Sequence, residues 1–204
     1  METSKDQMQK LKLAVLVSGS GTNLQSLIDA QKEGYFNSEI ALVVSNKASA
    51  YGLKRAENAG IKAIVIESDK ELLDTLLENE IDLIVLAGYL KIISPELINT
   101  YENKIINIHP SLLPEYGGHG MYGLHVHEKV FADKKHQTGA TVHYVTAQVD
   151  EGPIIIQKNL TVDYDTIKSP EELQKAVLVI EHEILKEAIK IIEEVRYEGS
   201  NKCD

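Results

Sequence analysis

Short apolar runs punctuate the first half of the chain: Leu13-Ala14-Val15-Leu16-Val17, Ile40-Ala41-Leu42-Val43-Val44, Ala63-Ile64-Val65-Ile66, Leu83-Ile84-Val85-Leu86 and Ile105-Ile106-Asn107-Ile108. Near-continuous apolar segments of this length and β-branched content predict strands buried on both faces, as in a parallel sheet. Between them lie 23–32, 50–59, 70–79 and 95–101, which have helix-compatible composition and credible boundaries. Strand and helix therefore alternate as a βαβ series.

The pattern changes after Pro110. Pro114, Gly117, Gly118, Gly120 and Gly123 predict a mobile loop over 117–124. Residues 138–145 alternate in polarity, and Ile154-Ile155-Ile156 follows a turn at Glu151-Gly152-Pro153, which predicts an antiparallel hairpin on the sheet edge. Leu173, Val177, Ile180, Ile184, Ala188, Ile191 and Val195 recur at spacings of three and four, marking one long helix between Pro170 and Gly199. The expected fold is α/β: a Rossmann-like open, mostly parallel sheet flanked by helices, with an antiparallel C-terminal edge hairpin and a long C-terminal helix. Residues 1–204 are expected to form one domain, with disordered tails at 1–10 and 197–204.

Composition narrows the function. Of 204 residues, 43% are hydrophobic and 25% charged, which suffices for one sizeable core. A formal net charge of -10 disfavours nucleic acid or an anionic membrane as partner. Cys203 is the only cysteine, so no intramolecular disulfide forms and a thiol nucleophile is not expected; with no apolar segment of signal-peptide length at the start, a cytoplasmic setting is expected.

Two segments carry candidate chemistry. Ser18-Gly19-Ser20-Gly21-Thr22-Asn23-Leu24-Gln25 follows the first strand and opens a helix, where glycines admit an anion close to the backbone and free N–H groups with the helix dipole favour negative charge. A tight turn capped by Thr22 or Asn23 is the plainer alternative. The loop lacks the Gly-Lys-Ser/Thr of a Walker motif, and Gly118-His119-Gly120-Met121-Tyr122-Gly123 matches a dinucleotide fingerprint only formally, because it does not join a strand to a helix within a βαβ unit. In the second segment, 107–114, an extended chain points Asn107 and His109 to one face, at the carboxyl end of a strand where open α/β sheets bind ligands. An amide donor beside an imidazole suits acyl-type transfer, though a structural hydrogen-bonded pair fits the spacing equally. Asp150, before Gly-Pro, reads by itself as a turn residue.

The motif Asn107-Ile108-His109-Pro110-Ser111-Leu112-Leu113-Pro114 resembles that of the folate-dependent formyltransferases, and residues 18–25 are similar to the phosphate loop of members acting on glycinamide ribonucleotide. The resemblance extends through 45–48, 86–89 and 139–145, over about residues 11–195. It implies transfer of the formyl group of 10-formyltetrahydrofolate, a co-substrate, to the amine of 5-phosphoribosylglycinamide, without a metal. It also implies that Asn107, His109 and Asp150 are catalytic, with Asn107 and a protonated His109 stabilising the oxyanion and Asp150 keeping that imidazole charged. Gly21, Thr22, Asn23 and Glu181 would hold the ribonucleotide. Lys70, Leu90, Lys91, Ile92, Ile93, Asn107, Thr146, Ala147, Gln148, Val149 and Asp150 would contact the folate, and Leu113-Pro114 would be a cis bond. Lys70 stands where the family commonly has arginine, and Leu178 where it often has a polar residue.

Other readings compete. Formyltetrahydrofolate hydrolase uses the same machinery with water, another amine could accept the formyl group, and a non-catalytic nucleotide-binding module would need only the loop at 19–23. Methionyl-tRNA formyltransferase is disfavoured by the acidic charge and by the absence of an added RNA-binding domain. His125 and His127 would share one face of a strand, but cysteine partners are absent and the region reads partly as helix, so a zinc site is not expected. The protein is expected to act on small molecules as a monomer or homodimer.

Overall fold

A computed structural model describes residues 10–200. The elements, in order, are β1 (Lys12–Val17), α1 (Thr22–Lys32), β2 (Glu39–Ser45), α2 (Tyr51–Asn58), β3 (Lys62–Val65), α3 (Asp69–Glu78), β4 (Leu83–Leu86), α4 (Pro95–Thr100), β5 (Ile105–His109), α5 (Leu124–Ala132), β6 (Gln137–Tyr144), β7 (Ile154–Thr161) and α6 (Pro170–Ser200). The seven strands form one sheet in the order β3-β2-β1-β4-β5-β6-β7. The first five are parallel; β6 and β7 add antiparallel to β5 and to each other.

Alternation along the strands sorts the core onto two faces. Leu13, Val15, Val17, Val85, Ile106 and Val142 pack with α1 and α6, whereas Ala14, Leu16, Leu42, Ile84 and Ile105 pack with α3 and α4. The α6 side covers the sheet out to β7, whose Ile156 and Leu160 pack against that core. The second face is apolar only as far as β5, where it meets Asn107 and His109. In the antiparallel register Asn107 lies opposite His143 and His109 opposite Thr141, so this end of the face is polar by construction.

Start signals are visible in the short helices. Ser68 and Ser94 cap α3 and α4 through their hydroxyls, and Pro95 opens α4. Along α6 the buried stripe drifts from the one expected: Leu185, Ile189 and Ile192 enter the core while Val195 is 65% exposed. A straight helix with 3.6 residues per turn rotates away from a fixed three-and-four spacing over so many turns. Of the tails expected at 1–10 and 197–204, residues 1–9 and 201–204 lie outside the described residues, and 197–200 continue α6. The loop after Pro110 ends with its last glycine, Gly123, and α5 starts at Leu124. Among the described residues no helix is long and apolar enough to cross a membrane.

Candidate active site

The strand order reverses between β1 and β4, because β2 lies on one side of β1 and β4 on the other. Such a switch point leaves a crevice at the carboxyl ends of the strands. The loops that flank it are tied together: Ser18 N–H donates to Gly88 O at 3.1 Å, and Leu90 N–H to Ser18 Oγ at 2.9 Å. Ser18 Oγ in turn donates to Asn46 Oδ1 at 2.6 Å.

At one end of the crevice α1 begins without a side-chain cap, so neither Thr22 nor Asn23 plays the capping role. Gly21 occupies the N-cap with φ 69 and ψ 30, a left-handed conformation. Glycine is required there twice over, since a Cβ would also lie 2.5 Å from Gly52 Cα. Arg55 braces the loop, donating from Nε to Ser20 O at 2.8 Å and from Nη1 to Gln25 Oε1 at 3.2 Å. The first-turn N–H groups therefore open onto the crevice, as anion binding demands.

Asn23 turns its amide inward and donates to Glu181 Oε2 at 2.8 Å, leaving its own Oδ1 buried without a partner. Burial holds the Glu181 carboxyl above its ordinary range, and the Asn23 donor only partly offsets this.

The polar end of the second sheet face forms the centre. His109, buried, has Nδ1 3.5 Å from Asp150 Oδ2 and Nε2 2.8 Å from the Tyr116 carbonyl. Asp150 also accepts from Gly118 N–H at 2.9 Å and lies 3.6 Å from His143 Nε2. Asn107 Nδ2 stands 3.2 Å from the same His143 nitrogen. Asp150 and Tyr116 both adopt left-handed backbone, φ 59 and φ 55, a conformation uncommon for tyrosine and better tolerated by aspartate. Tyr116 is pinned by its hydroxyl, which donates to Asp133 at 2.6 Å, and the expected cis bond is present at Leu113-Pro114.

Electrostatics separate the two partners. Burial alone would raise Asp150, but its polar surroundings, the Gly118 N–H among them, outweigh it and hold the carboxyl below its usual range. Burial lowers His109 despite the opposing pull of Asp150 and the Tyr116 carbonyl. Each ring nitrogen of His109 faces an acceptor, Asp150 Oδ2 at Nδ1 and the Tyr116 carbonyl at Nε2. His127 on α5, 1% exposed, is pushed down to about 4 by burial.

These features share one cavity of about 600 Å³. It gathers Gly21, Thr22, Asn23, Glu181, Asn107, His109 and Asp150, together with Leu90, Lys91, Ile92 and Ile93 and the segment Thr146, Ala147, Gln148 and Val149. Leu90 and Ile92 are 50% and 66% exposed, an apolar wall open to a ligand. Leu178 lines the same space. Lys70 is not brought to the cavity; Lys91 is, and it pairs with Asp69 at 2.6 Å. Sequence reasoning missed His143, although the alternation of 138–145 places it on the face of Thr141, and it missed Arg55, Tyr116 and His127. His125 and His127 do not share a face, in keeping with the partly helical reading of this segment. On helix α5 His125 is exposed beside Glu128 while His127 is buried against the cavity, because a spacing of two diverges on a helix.

Comparison with known proteins bears on this geometry. A family model described as formyl transferase matches residues 11–189. A phosphoribosylglycinamide formyltransferase of Haemophilus influenzae is 40% identical over 194 residues, which is 91% of this chain and 88% of that protein. The chloroplastic phosphoribosylglycinamide formyltransferase of Vigna unguiculata is 39% identical over 93% of this chain, and the chain spans 63% of that relative's length. A crystal structure of glycinamide ribonucleotide transformylase 1 from Symbiobacterium toebii superposes with a TM-score of 0.84 at 38% identity, covering 92% of this chain and 89% of that one.

Proposed function

The chain belongs to the formyl transferase family, and from that premise we propose that it moves the formyl group of 10-formyltetrahydrofolate onto the amine of 5-phosphoribosylglycinamide, yielding the formylated nucleotide and tetrahydrofolate. The observation that carries this reading is a single cavity joining an uncapped, glycine-lined helix start to the Asn107, His109 and Asp150 cluster and to an apolar wall. Gly21, Thr22 and Asn23 receive the phosphate on backbone N–H groups. Leu90, Ile92 and Ile93, with the backbone of residues 146–150, suit a flat heteroaromatic ring with polar edges, and Lys91 offers a cation to the folate carboxylates.

The substrate amine is itself the nucleophile, so no serine or cysteine intermediate is required. As it attacks the formyl carbon, charge develops on the formyl oxygen, and Asn107 Nδ2–H donates to it. His109 takes up the proton released by the amine, its affinity rising as negative charge grows nearby, and Asp150 holds that proton on Nδ1 for return to the departing nitrogen. None of these roles needs a metal, and the single cysteine agrees with a reducing, cytoplasmic setting.

Purified protein incubated with 10-formyltetrahydrofolate, with and without the ribonucleotide amine, tests the reading. Tetrahydrofolate and formylated nucleotide should appear together and only when the amine is present. Equal folate release without it would make the protein a hydrolase, and no release in either case would leave a nucleotide-binding module.

A further inference from the structure

An asparagine amide stabilises an oxyanion only if its N–H side faces the reacting atoms, and the two sides of an amide are nearly equal in shape. Something must therefore fix which way Asn107 turns, and the residue directly opposite it in the sheet is His143. His143 is buried, and the β6–β7 register shifts between Val142 and His143, a bulge of the kind that re-aims a side chain beside a site. Its Nδ1 lies 2.9 Å from the Tyr144 carbonyl, which can only accept, so Nδ1 carries a hydrogen. In a neutral ring Nε2 then bears a lone pair, and the atom 3.2 Å away on Asn107 must be the donor Nδ2. The same nitrogen is 3.6 Å from Asp150 Oδ1, so the amide's N–H side is turned toward the corner shared by Asp150 and His109.

We propose that His143 is a positioning residue: as the Nδ1–H tautomer it accepts from Asn107 and fixes that amide with its N–H side toward His109 and Asp150, leaving the second N–H for the developing oxyanion. This role rests on Asn107 acting as the oxyanion donor. A protonated Nε2 would instead donate to Asp150 Oδ1, call for Oδ1 of Asn107 in place of Nδ2, and present the wrong side of the amide. Asp150 is the competing acceptor that makes the tautomer a choice rather than a formality.

Long-range proton–nitrogen spectra of the nitrogen-15-labelled wild-type protein at pH 7–8 read the tautomer directly. Hydrogen on Nδ1 and none on Nε2 is expected; hydrogen on Nε2 overturns the proposal. Two variants give the functional reading. His143→Gln places a carbonyl oxygen near the position of Nε2 and should keep kcat within about 10-fold, whereas His143→Asn reproduces only the Nδ1 side and should lose about 10²–10³ in kcat with KM for the ribonucleotide little changed. Equal losses in the two variants, or losses confined to KM, overturn it. Adding His143→Asn to Asn107→Ala should cost little more than Asn107→Ala alone. Should Asn107→Ala itself retain wild-type kcat, the donor role of Asn107 fails and the positioning role with it; an inactive Asn107→Ala combined with hydrogen on His143 Nε2 defeats the positioning role alone.

Discussion

The two ends of the cavity are made in opposite ways. The loop after β1 is a site of backbone: one contiguous stretch, 18–25, in which Gly21 supplies a left-handed cap and α1 supplies unpaired N–H groups. The centre is a site of side chains collected from distant positions, with Asn107 and His109 on β5, His143 on β6, Asp150 before β7 and the Tyr116 carbonyl from the intervening loop. A phosphate carries a full charge that any convergent set of N–H groups can hold, so binding can be left to the main chain. Charge that exists only in the transition state has to be met by groups whose protonation and direction are set in advance, and that requires several elements.

Damage to the two ends should therefore separate kinetically, with the largest effect at the centre. Asp150→Asn keeps the shape, and asparagine also tolerates the left-handed φ of 59 found there. The variant should lose about 10²–10⁴ in kcat, with ribonucleotide affinity by calorimetry nearly unchanged. Its His109 should also titrate lower than in the wild type, because the charge that pulls the imidazole upward is gone. Near-normal turnover with an unshifted pH profile would return Asp150 to the turn role that its Gly-Pro context suggests.

Gly21→Ala damages the other end. The added Cβ meets Gly52 Cα at 2.5 Å and sits at φ 69, so the loop must shift. KM for the ribonucleotide should rise by about 10-fold or more, while kcat at saturation falls less. A fall in kcat with unchanged KM would erase the contrast between the two ends.

A smaller effect concerns stability rather than turnover. His127 is held at about 4 in the folded chain against an ordinary 6.5, so above pH 6.5 both states are neutral and folding carries no penalty. Below pH 6.5 the unfolded chain takes up a proton that the folded one refuses, and stability is lost as pH falls toward 4. From this residue alone the loss between pH 7 and pH 5 should be about 2 kcal/mol. Urea unfolding at the two pH values should show a shallower loss in His127→Gln than in the wild type; identical slopes would remove His127 from the account.

The contrast also explains what could be read in the sequence. The parallel strands announced themselves through apolar runs, and the candidate anion loop through glycines at a strand end, because both are local. Asn107 and His109 were legible from their spacing of two on a strand. Asp150 was not, since nothing local distinguishes it from a turn aspartate, and only the resemblance marked it. His143 was hidden differently: its face follows from the alternation of β6, but its significance depends on β6 pairing antiparallel with β5 so that it meets Asn107. Lys70, assigned by resemblance alone, lies outside the residues that line the cavity. The start of α5 was obscured by the glycines before it.

A crystal of Asp150→Asn grown with 5-phosphoribosylglycinamide tests most directly that both ends serve one substrate. The phosphate should sit on the N–H groups of Gly21, Thr22 and Asn23, with the amine extended toward Asn107 and His109. A phosphate bound elsewhere in the cavity with that loop empty, or an amine directed away from β5, would contradict the account.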